Sequence, residues 1–309
     1  MALRYTLRQL EYFVAVGEAG TIALASQRLN VSSPSISAAI SQLEQEFGLQ
    51  LFVRHHAQGL HLTPGGRRMF NAAQKILDDA LALNDLASDI IQRPRGRLTV
   101  GALSTVAPMV SAALRRSFQD AYPEANVSLR EGSQLDLLRM LSRAEIDVAI
   151  TYDLEIPKDI SFDALTALPP YVMLAADHPL AENDALTLQD LAEEPMVLLD
   201  IPLSREYFLS IFQSAGLRPA IAERTAQMSV ARSLVANGFG FGLINMRMPT
   251  QLAPDGAHLA LLPLSDDVRP MILGLALKRT SHRTQIVQAF CDHVRAQVTS
   301  GVVPGIGSR

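Results

Sequence analysis

The chain of 309 residues contains a single cysteine, Cys291. An internal disulfide is therefore excluded, and the composition fits a reducing compartment. Cys291 falls in a predicted C-terminal helix and reads as a buried, inert thiol. No apolar run approaches the roughly eighteen residues that cross a bilayer. Glu11 and Glu18 interrupt the N-terminal stretch where a signal peptide would need a continuous apolar segment. A cytoplasmic protein that does not engage the membrane is expected. Charge is scarce as well: charged residues make up 19% of the chain and the net charge is −4, which argues weakly against a general nucleic-acid binder. Position changes that argument. Six arginines against four glutamates give the first 70 residues a surplus of +2, leaving −6 for the remainder. A slightly basic head on an acidic body suits a DNA-binding module tethered to something with another task. At so low a charge density, tight binding would need two heads on one DNA.

What is present is most organised between Thr21 and Phe52, TIALASQRLNVSSPSISAAISQLEQEFGLQLF. Ile22, Leu24, Ala25 and Leu29 fall at helical spacing behind Thr21, which can cap that helix. The chain then turns at Asn30. A second helix is announced by Ser32 or Ser33 as cap, Pro34 in the first turn, and Ile36, Ile40, Leu43 and Phe47 as a buried stripe; Gly48 ends it. Two helices so closely joined form a helix-turn-helix, whose second helix enters the DNA major groove. Ser33, Pro34, Ser35, Ser37 and Gln42 are its candidate DNA-binding residues. Hydroxyls and amides bond to base edges or phosphates, and the positive helix end favours phosphate. The same serines could serve only as caps, and the helix pair only as a packing unit.

The run LRQLEYFVAVGEAGTIALASQRLNVSSPSISAAISQLEQEFGLQLFVRHHAQGLHLTPGG resembles the N-terminal domain of the LysR-type transcriptional regulators. LRQLEYFVAV, ASQRL, PSIS, QLEQEFGLQLF and LTPGG carry the resemblance, which continues to the C-terminus. It implies a winged helix-turn-helix, a linker helix that pairs two subunits, and a periplasmic-binding-protein-like α/β effector domain. The family often has a glutamine before the proline and an arginine after the last serine; Ser33 and Ala38 stand there instead. Arginine can hold guanine with two bonds, worth about 1–3 kcal/mol of discrimination, and alanine cannot. This chain is therefore expected to draw part of its specificity from DNA shape, backbone contacts and the wing. The implied partners are double-stranded promoter DNA, a small organic effector and further copies of the chain, as a homodimer or homotetramer. RNA polymerase is a candidate partner, and no cofactor is implied.

Ahead of the helix pair, Leu7, Leu10, Phe13, Val14 and Ala15 form the apolar face of a first helix. After Gly48, LFVR and GLHLT read as the strands of a wing, with Arg54 placed for a phosphate or minor-groove contact. His55, His56 and His61 lack the cysteine or carboxylate partners of a metal site, so no metal is expected. One long helix is expected from Thr63 to about Gln92, capped by Thr63. Met69, Ile76, Leu83, Leu86 and Ile90 make one stripe; Phe70, Ala73, Leu77, Ala80, Ala87 and Ile91 make another. Such a helix can pack on its own head and on a partner helix at once, or present a single wide core-facing surface. Arg93, Pro94, Arg95 and Gly96 then read as a hinge. The expected domains are a winged helix-turn-helix over 1–62, a linker helix over 63–92 and an effector domain over 93–309.

Beyond Arg97 the pattern alternates between strands and helices. RLTVGAL, NVSLREG, IDVAITYD, YVMLAA, PMVLLD, AIAER, GFGLI, HLALLPL and MILGLALK read as strands; the segments from Ala107, Gln134, Ser204, Ser229 and Thr284 read as helices. Repeated β-α-β units imply a mostly parallel sheet, here in two similar halves. The first is placed at about 97–165 and 269–299, the second at about 166–268, with MILGLALK crossing back to the first. A ligand would sit between them, at strand ends. Ser104, Thr105, Ser133, Thr151, Tyr152, Ser204 and Arg205 occupy such ends and are the candidate effector-binding residues, with Phe208 and Met228 as apolar contacts. Donors at helix N-termini favour an anionic effector. Each hydroxyl is equally an ordinary helix cap, and Arg205 could equally pair with a surface glutamate.

Gly238, Gly240 and Gly242 in NGFGFG follow a helix and lead into a strand, the reverse of a dinucleotide loop. No nucleophile elbow, HExxH or phosphate loop is present. An enzyme or a solute receptor could use the same two-lobed cleft, but neither explains the head, and no catalytic residue is expected.

Overall fold

The computed structural model describes the backbone of residues 4–55, 59–90, 94–279 and 283–301, and all their side chains except those at 54, 55, 59, 81, 82 and 84–90. The chain forms two compact units, Met1–Ile90 and Ile91–Arg309. No helix among the described residues is long and apolar enough to cross a membrane.

The first unit opens with α1 (Leu7–Ala19), α2 (Ile22–Leu29) and α3 (Ser33–Phe47). Local chemistry sets each start. Thr6 and Gln9 form a capping box on α1, Thr21 accepts from Leu24 N on α2, and Ser32 accepts from Ser35 N on α3. The cap of α3 is thus Ser32, and Ser33 is the first helical residue. Leu10, Phe13, Val16, Ala25, Ile36 and Leu43 form the centre of the core. Two residues expected on apolar faces lie elsewhere: Leu7 and Leu24 are 47% and 50% exposed, while Tyr12 and Val16 are buried. The core stripe of α1 is Leu10, Tyr12, Phe13 and Val16, and the helix packs on α2, α3 and the long helix that follows the wing.

The wing is β1 (Phe52–His55) paired antiparallel with β2 (Gly59–Leu62). Glu44 of α3 accepts from Leu51 N at 2.7 Å and Phe52 N at 3.3 Å, and Leu60 N donates to Gly20 O at 2.8 Å, so both strands are tied to the helices. The long helix is α4 (Pro64–Ile90). Thr63 starts it, accepting from Gly66 N at 2.8 Å. Gly66 presses on the segment between α3 and β1 so closely that an added Cβ would lie 2.0 Å from Leu51 O, the physical reason for the second glycine of LTPGG. Met69, Phe70, Ala73 and Leu77 pack on the head core, whereas Ile76 and Leu83 are 39% and 64% exposed. The side chains of Leu86, Ala87 and Ile90, and all of Ile91 and Gln92, lie outside the described residues.

The second unit holds two sheets of one design. The first, in order β4-β3-β5-β12-β6, comprises β3 (Gly96–Leu103), β4 (Ala125–Gly132), β5 (Val148–Tyr152), β6 (Ile160–Leu168) and β12 (Met271–Lys278). The second joins β10-β7-β11 to the β8-β9 pair through a parallel bridge between Met196 and Phe241. Its strands are β7 (Tyr171–Ala175), β8 (Pro195–Leu199), β9 (Ala220–Thr225), β10 (Gly242–Ile244) and β11 (Leu259–Pro263). The sheets are mixed rather than mostly parallel: in each, three neighbouring strands run parallel, a fourth pairs with them antiparallel, and the fifth pairs antiparallel with that fourth strand alone. The returning strand β12 and the edge strand β6, which the sequence pattern does not announce, account for the difference in the first sheet. Helices α5 (Ala107–Ala121), α6 (Gln134–Ser142), α7 (Ser204–Ser214), α8 (Met228–Ala236) and α9 (Gln285–Thr299) flank the sheets, with a short 3-10 turn at Pro179–Glu182. The chain passes from one sheet to the other between Leu168 and Tyr171 and returns between Pro263 and Met271. Gly240 lies in the tight turn between α8 and β10, at φ +138°, where an added Cβ would meet Pro195 O at 2.1 Å. Cys291 is buried in α9, and burial pushes its thiol up to about 11.

Candidate DNA-binding face and interlobe cleft

On α3 the buried residues are Ile36, Ala39, Ile40 and Leu43. The opposite face is Pro34, Ala38, Ser41 and Gln45, all exposed, with Ser35 and Gln42 along one flank. Ser33 and Ser37 are half-buried on the other side. The Ser35 hydroxyl lies 2.8 Å from that of Ser32 and so belongs to the cap region. The Gln42 side-chain oxygen accepts from Gln9 Nε2 at 2.8 Å, which turns its amide nitrogen into the available donor. Ser41 and Gln45 were not among the residues read from the sequence, although both follow from Pro34 at helical spacing. Arg54 lies in β1 opposite Leu60, and its side chain is outside the described residues.

In the second unit a cleft with about 370 Å³ of empty space, solvent at its mouth included, lies at strand ends and helix starts of both lobes. Thr105, Tyr152, Ser204, Phe208 and Met228 meet there. They are joined by Leu199, Ile244, Asn245, Met246, Met248 and Met271, none read from the sequence. Tyr152 is buried, which pushes its phenol well above the usual tyrosine range and keeps it neutral; the Thr105 side chain is its hydrogen-bond partner.

Four other candidates lie outside this lining. Ser104 is exposed and donates its backbone N–H to Gly132 O. Ser133 forms a capping box with Asp136 on α6, and the bond holds the Asp136 carboxyl below its ordinary range. Thr151 is fully buried and donates to Gln134 Oε1 at 2.5 Å, while Gln134 Nε2 donates to the carbonyls of Tyr152 and Leu154. Arg205 is bound by Asp200 at 2.6 Å and by Glu206. Glu206 also accepts from Leu203 N, so a carboxylate already sits at the N-terminus of α7. The helix starts of α5 and α8 carry no side-chain cap bond.

Asn245 connects the cleft to the passage between lobes. Its Nδ2 donates to Leu168 O at 2.8 Å and to the Tyr207 hydroxyl at 3.2 Å. Tyr207 in turn donates to Arg269 O at 2.8 Å. Leu168 and Arg269 flank the two crossings, so one buried network fixes both strands of the passage. Asn245 Oδ1 is buried and has no hydrogen-bond partner among the described residues.

A winged helix-turn-helix followed by a two-lobed α/β unit with an interlobe cleft defines a DNA-binding protein equipped to hold a small ligand. Family models agree: residues 7–67 match the bacterial regulatory helix-turn-helix protein, lysR family, and residues 92–299 match the LysR substrate binding domain. The chain belongs to the LysR family of transcriptional regulators. Among its relatives, the HTH-type transcriptional regulator CysB of Haemophilus influenzae is 28% identical over 304 residues, covering 96% of this chain and 92% of CysB. The crystal structure of HinK, a LysR family regulator from Pseudomonas aeruginosa, is 34% identical with a TM-score of 0.64, covering 95% of this chain and 98% of HinK. CbnR complexed with its target DNA shares the fold, with a TM-score of 0.68 at 23% identity, covering 94% of this chain and 99% of CbnR.

Proposed function

We propose that this protein controls transcription by binding promoter DNA through residues 1–62 while a small organic effector, held between the lobes of 93–309, sets its activity. The helix over 63–92 serves as the dimerisation element. The observation that carries the reading is the union, in one chain, of an outward polar helix face with a cleft whose lining connects to the passage between lobes. On the DNA side, Ser33, Pro34, Ser35, Ser37, Gln42 and Arg54 are the assigned contacts. Ala38 at the centre of the face brings no charge, in keeping with readout that leans on DNA shape and backbone. Exposed Ile76 and Leu83 on α4 support the pairing of subunits, as a dimer or a tetramer of two dimers. RNA polymerase is the further partner, and the cytoplasm the place of action.

On the effector side, Thr105, Tyr152, Ser204, Phe208 and Met228 are the assigned contacts. The anionic effector expected from the sequence draws support from the uncapped starts of α5 and α8. Against it, no lysine, arginine or histidine is among the described residues that line the cleft. Binding without turnover is the reading, in keeping with relatives that are transcriptional regulators; among the described lining residues no nucleophile is paired with a base. An effector acts by binding one lobe arrangement better than another and so shifting the placement of the heads.

The test is fluorescence anisotropy of the full chain on its own upstream intergenic DNA and on a scrambled duplex, across salt concentrations. A preference of about a thousandfold for the intergenic DNA near physiological salt is expected. Equal, steeply salt-sensitive binding to both duplexes would contradict the reading.

A further inference from the structure

We infer that the effector is an uncharged small molecule with an apolar body and at least one hydroxyl or N–H donor, and that this donor is received by Asn245 Oδ1. The inference rests on the reading of the cleft as the effector site and adds the chemistry of its ligand. Asn245 lines the cleft at 5% exposure. Its amide orientation is fixed by Leu168 O, which can only accept and therefore must face Nδ2. The oxygen on the other side has no partner among the described residues. A buried acceptor left in this state is unfavourable, and a ligand donor relieves it where an anion would be repelled.

The surroundings point the same way. Met228, Met246, Met248 and Met271 give the cleft flexible thioether walls that adapt to an apolar body. The guanidinium of Arg205, at the start of α7, is held by Asp200 and Glu206. Acidic side chains already occupy the starts of α6 and α7. The uncapped starts of α5 and α8 serve the acceptor atoms of an uncharged ligand equally well. Because Asn245 also binds Leu168 beside the interlobe crossing, a ligand on its oxygen touches the element that sets lobe placement.

The test uses the full chain and three matched forms of several skeletons, benzyl, cyclohexylmethyl and octyl: the alcohol, its methyl ether and the corresponding carboxylate. Thermal shift ranks them and calorimetry measures Kd. For at least one skeleton the alcohol should bind roughly tenfold more tightly than its ether, the scale of one satisfied buried hydrogen bond, with the carboxylate weakest. In Asn245→Leu the alcohol and ether should become equal. If that variant fails to fold, the wild-type comparison of alcohol with ether and carboxylate decides alone. Preference for the carboxylate, or equal affinity for alcohol and ether, overturns the inference and leaves the effector-site reading standing, provided the binding is lost in the cleft-filling variant Met228→Trp. If no form binds, or binding is unchanged in Met228→Trp, the inference and the effector-site reading fall together.

Discussion

The two lobes share a pattern of strand directions but face the cleft with different chemistry. The lobe built on β3 contributes the linked hydroxyls of Thr105 and Tyr152, with Met271 beside them. The lobe built on β8 contributes Leu199, Phe208, Met228, Ile244, Met246 and Met248, and only Ser204 and Asn245 among polar residues. One wall is short and polar, the other broad and apolar. A ligand whose body is apolar gains most of its burial energy from the second lobe, at about 25 cal/mol per Å² of apolar surface. The first lobe then completes the enclosure through hydrogen bonds. Such a division makes closure depend on the ligand, because neither wall alone satisfies both parts of it.

Substitutions in matched cores would break the comparison most forcefully. Phe118 and Phe212 are both fully buried, one in each lobe. Phe118→Ala and Phe212→Ala should each cost about 3–5 kcal/mol by urea denaturation. Hydrogen exchange should show the first loosening β3, β5 and α9 ahead of the second sheet, and the second loosening β8 and β9. Identical exchange maps would show that the lobes unfold as one body.

A smaller effect sharpens the comparison at the passage between lobes. Tyr207→Phe removes the bond to Arg269 O and one partner of Asn245, and should cost about 0.5–1.5 kcal/mol. Exchange should accelerate at the backbone around residues 168–171 and 264–271 more than at either sheet centre. No change at those crossings would mean that the network does not hold them.

The smallest effect is a dependence on pH confined to the first lobe. His293 on α9 lies 2.8 Å from the Ser117 hydroxyl, and burial lowers its pKa below the usual histidine range. A base whose folded pKa is depressed contributes stability that is fully present above its unfolded pKa, near 6.5, and lost as pH falls through the folded value. The midpoint of unfolding should therefore decline more between pH 7 and pH 5 in the wild type than in His293→Gln. Parallel declines would remove this histidine from the account.

Legibility followed the range of the interactions. The caps Thr21 and Thr63, the left-handed end at Gly48 and the helix-to-strand turn at Gly240 are settled within a few residues and could be read directly. Sequence alone places the start of α3 at either of two serines, because the hydroxyl of each can accept from the first turn. Edge strand β6 escaped notice because its residues alternate irregularly between partly buried and exposed, without the apolar run of a central strand. Strand direction escaped for a different reason, since β12 reaches its partners from more than a hundred residues away. Ser133 and Arg205, outside the cleft lining, bind partners close in sequence, Asp136, Asp200 and Glu206, although the sequence pattern offers both as effector contacts. Asn245 gave no local sign at all. Its importance comes from Leu168 and Tyr207, brought to it by the packing of both lobes.

The central claim, that the head recognises particular DNA, is tested most directly by DNase footprinting of the full chain over its own upstream intergenic region. The account predicts discrete protected half-sites spaced by about one helical turn or a multiple of it, appearing at protein concentrations that leave flanking DNA open. Uniform protection along the fragment, or none at any concentration, would contradict it.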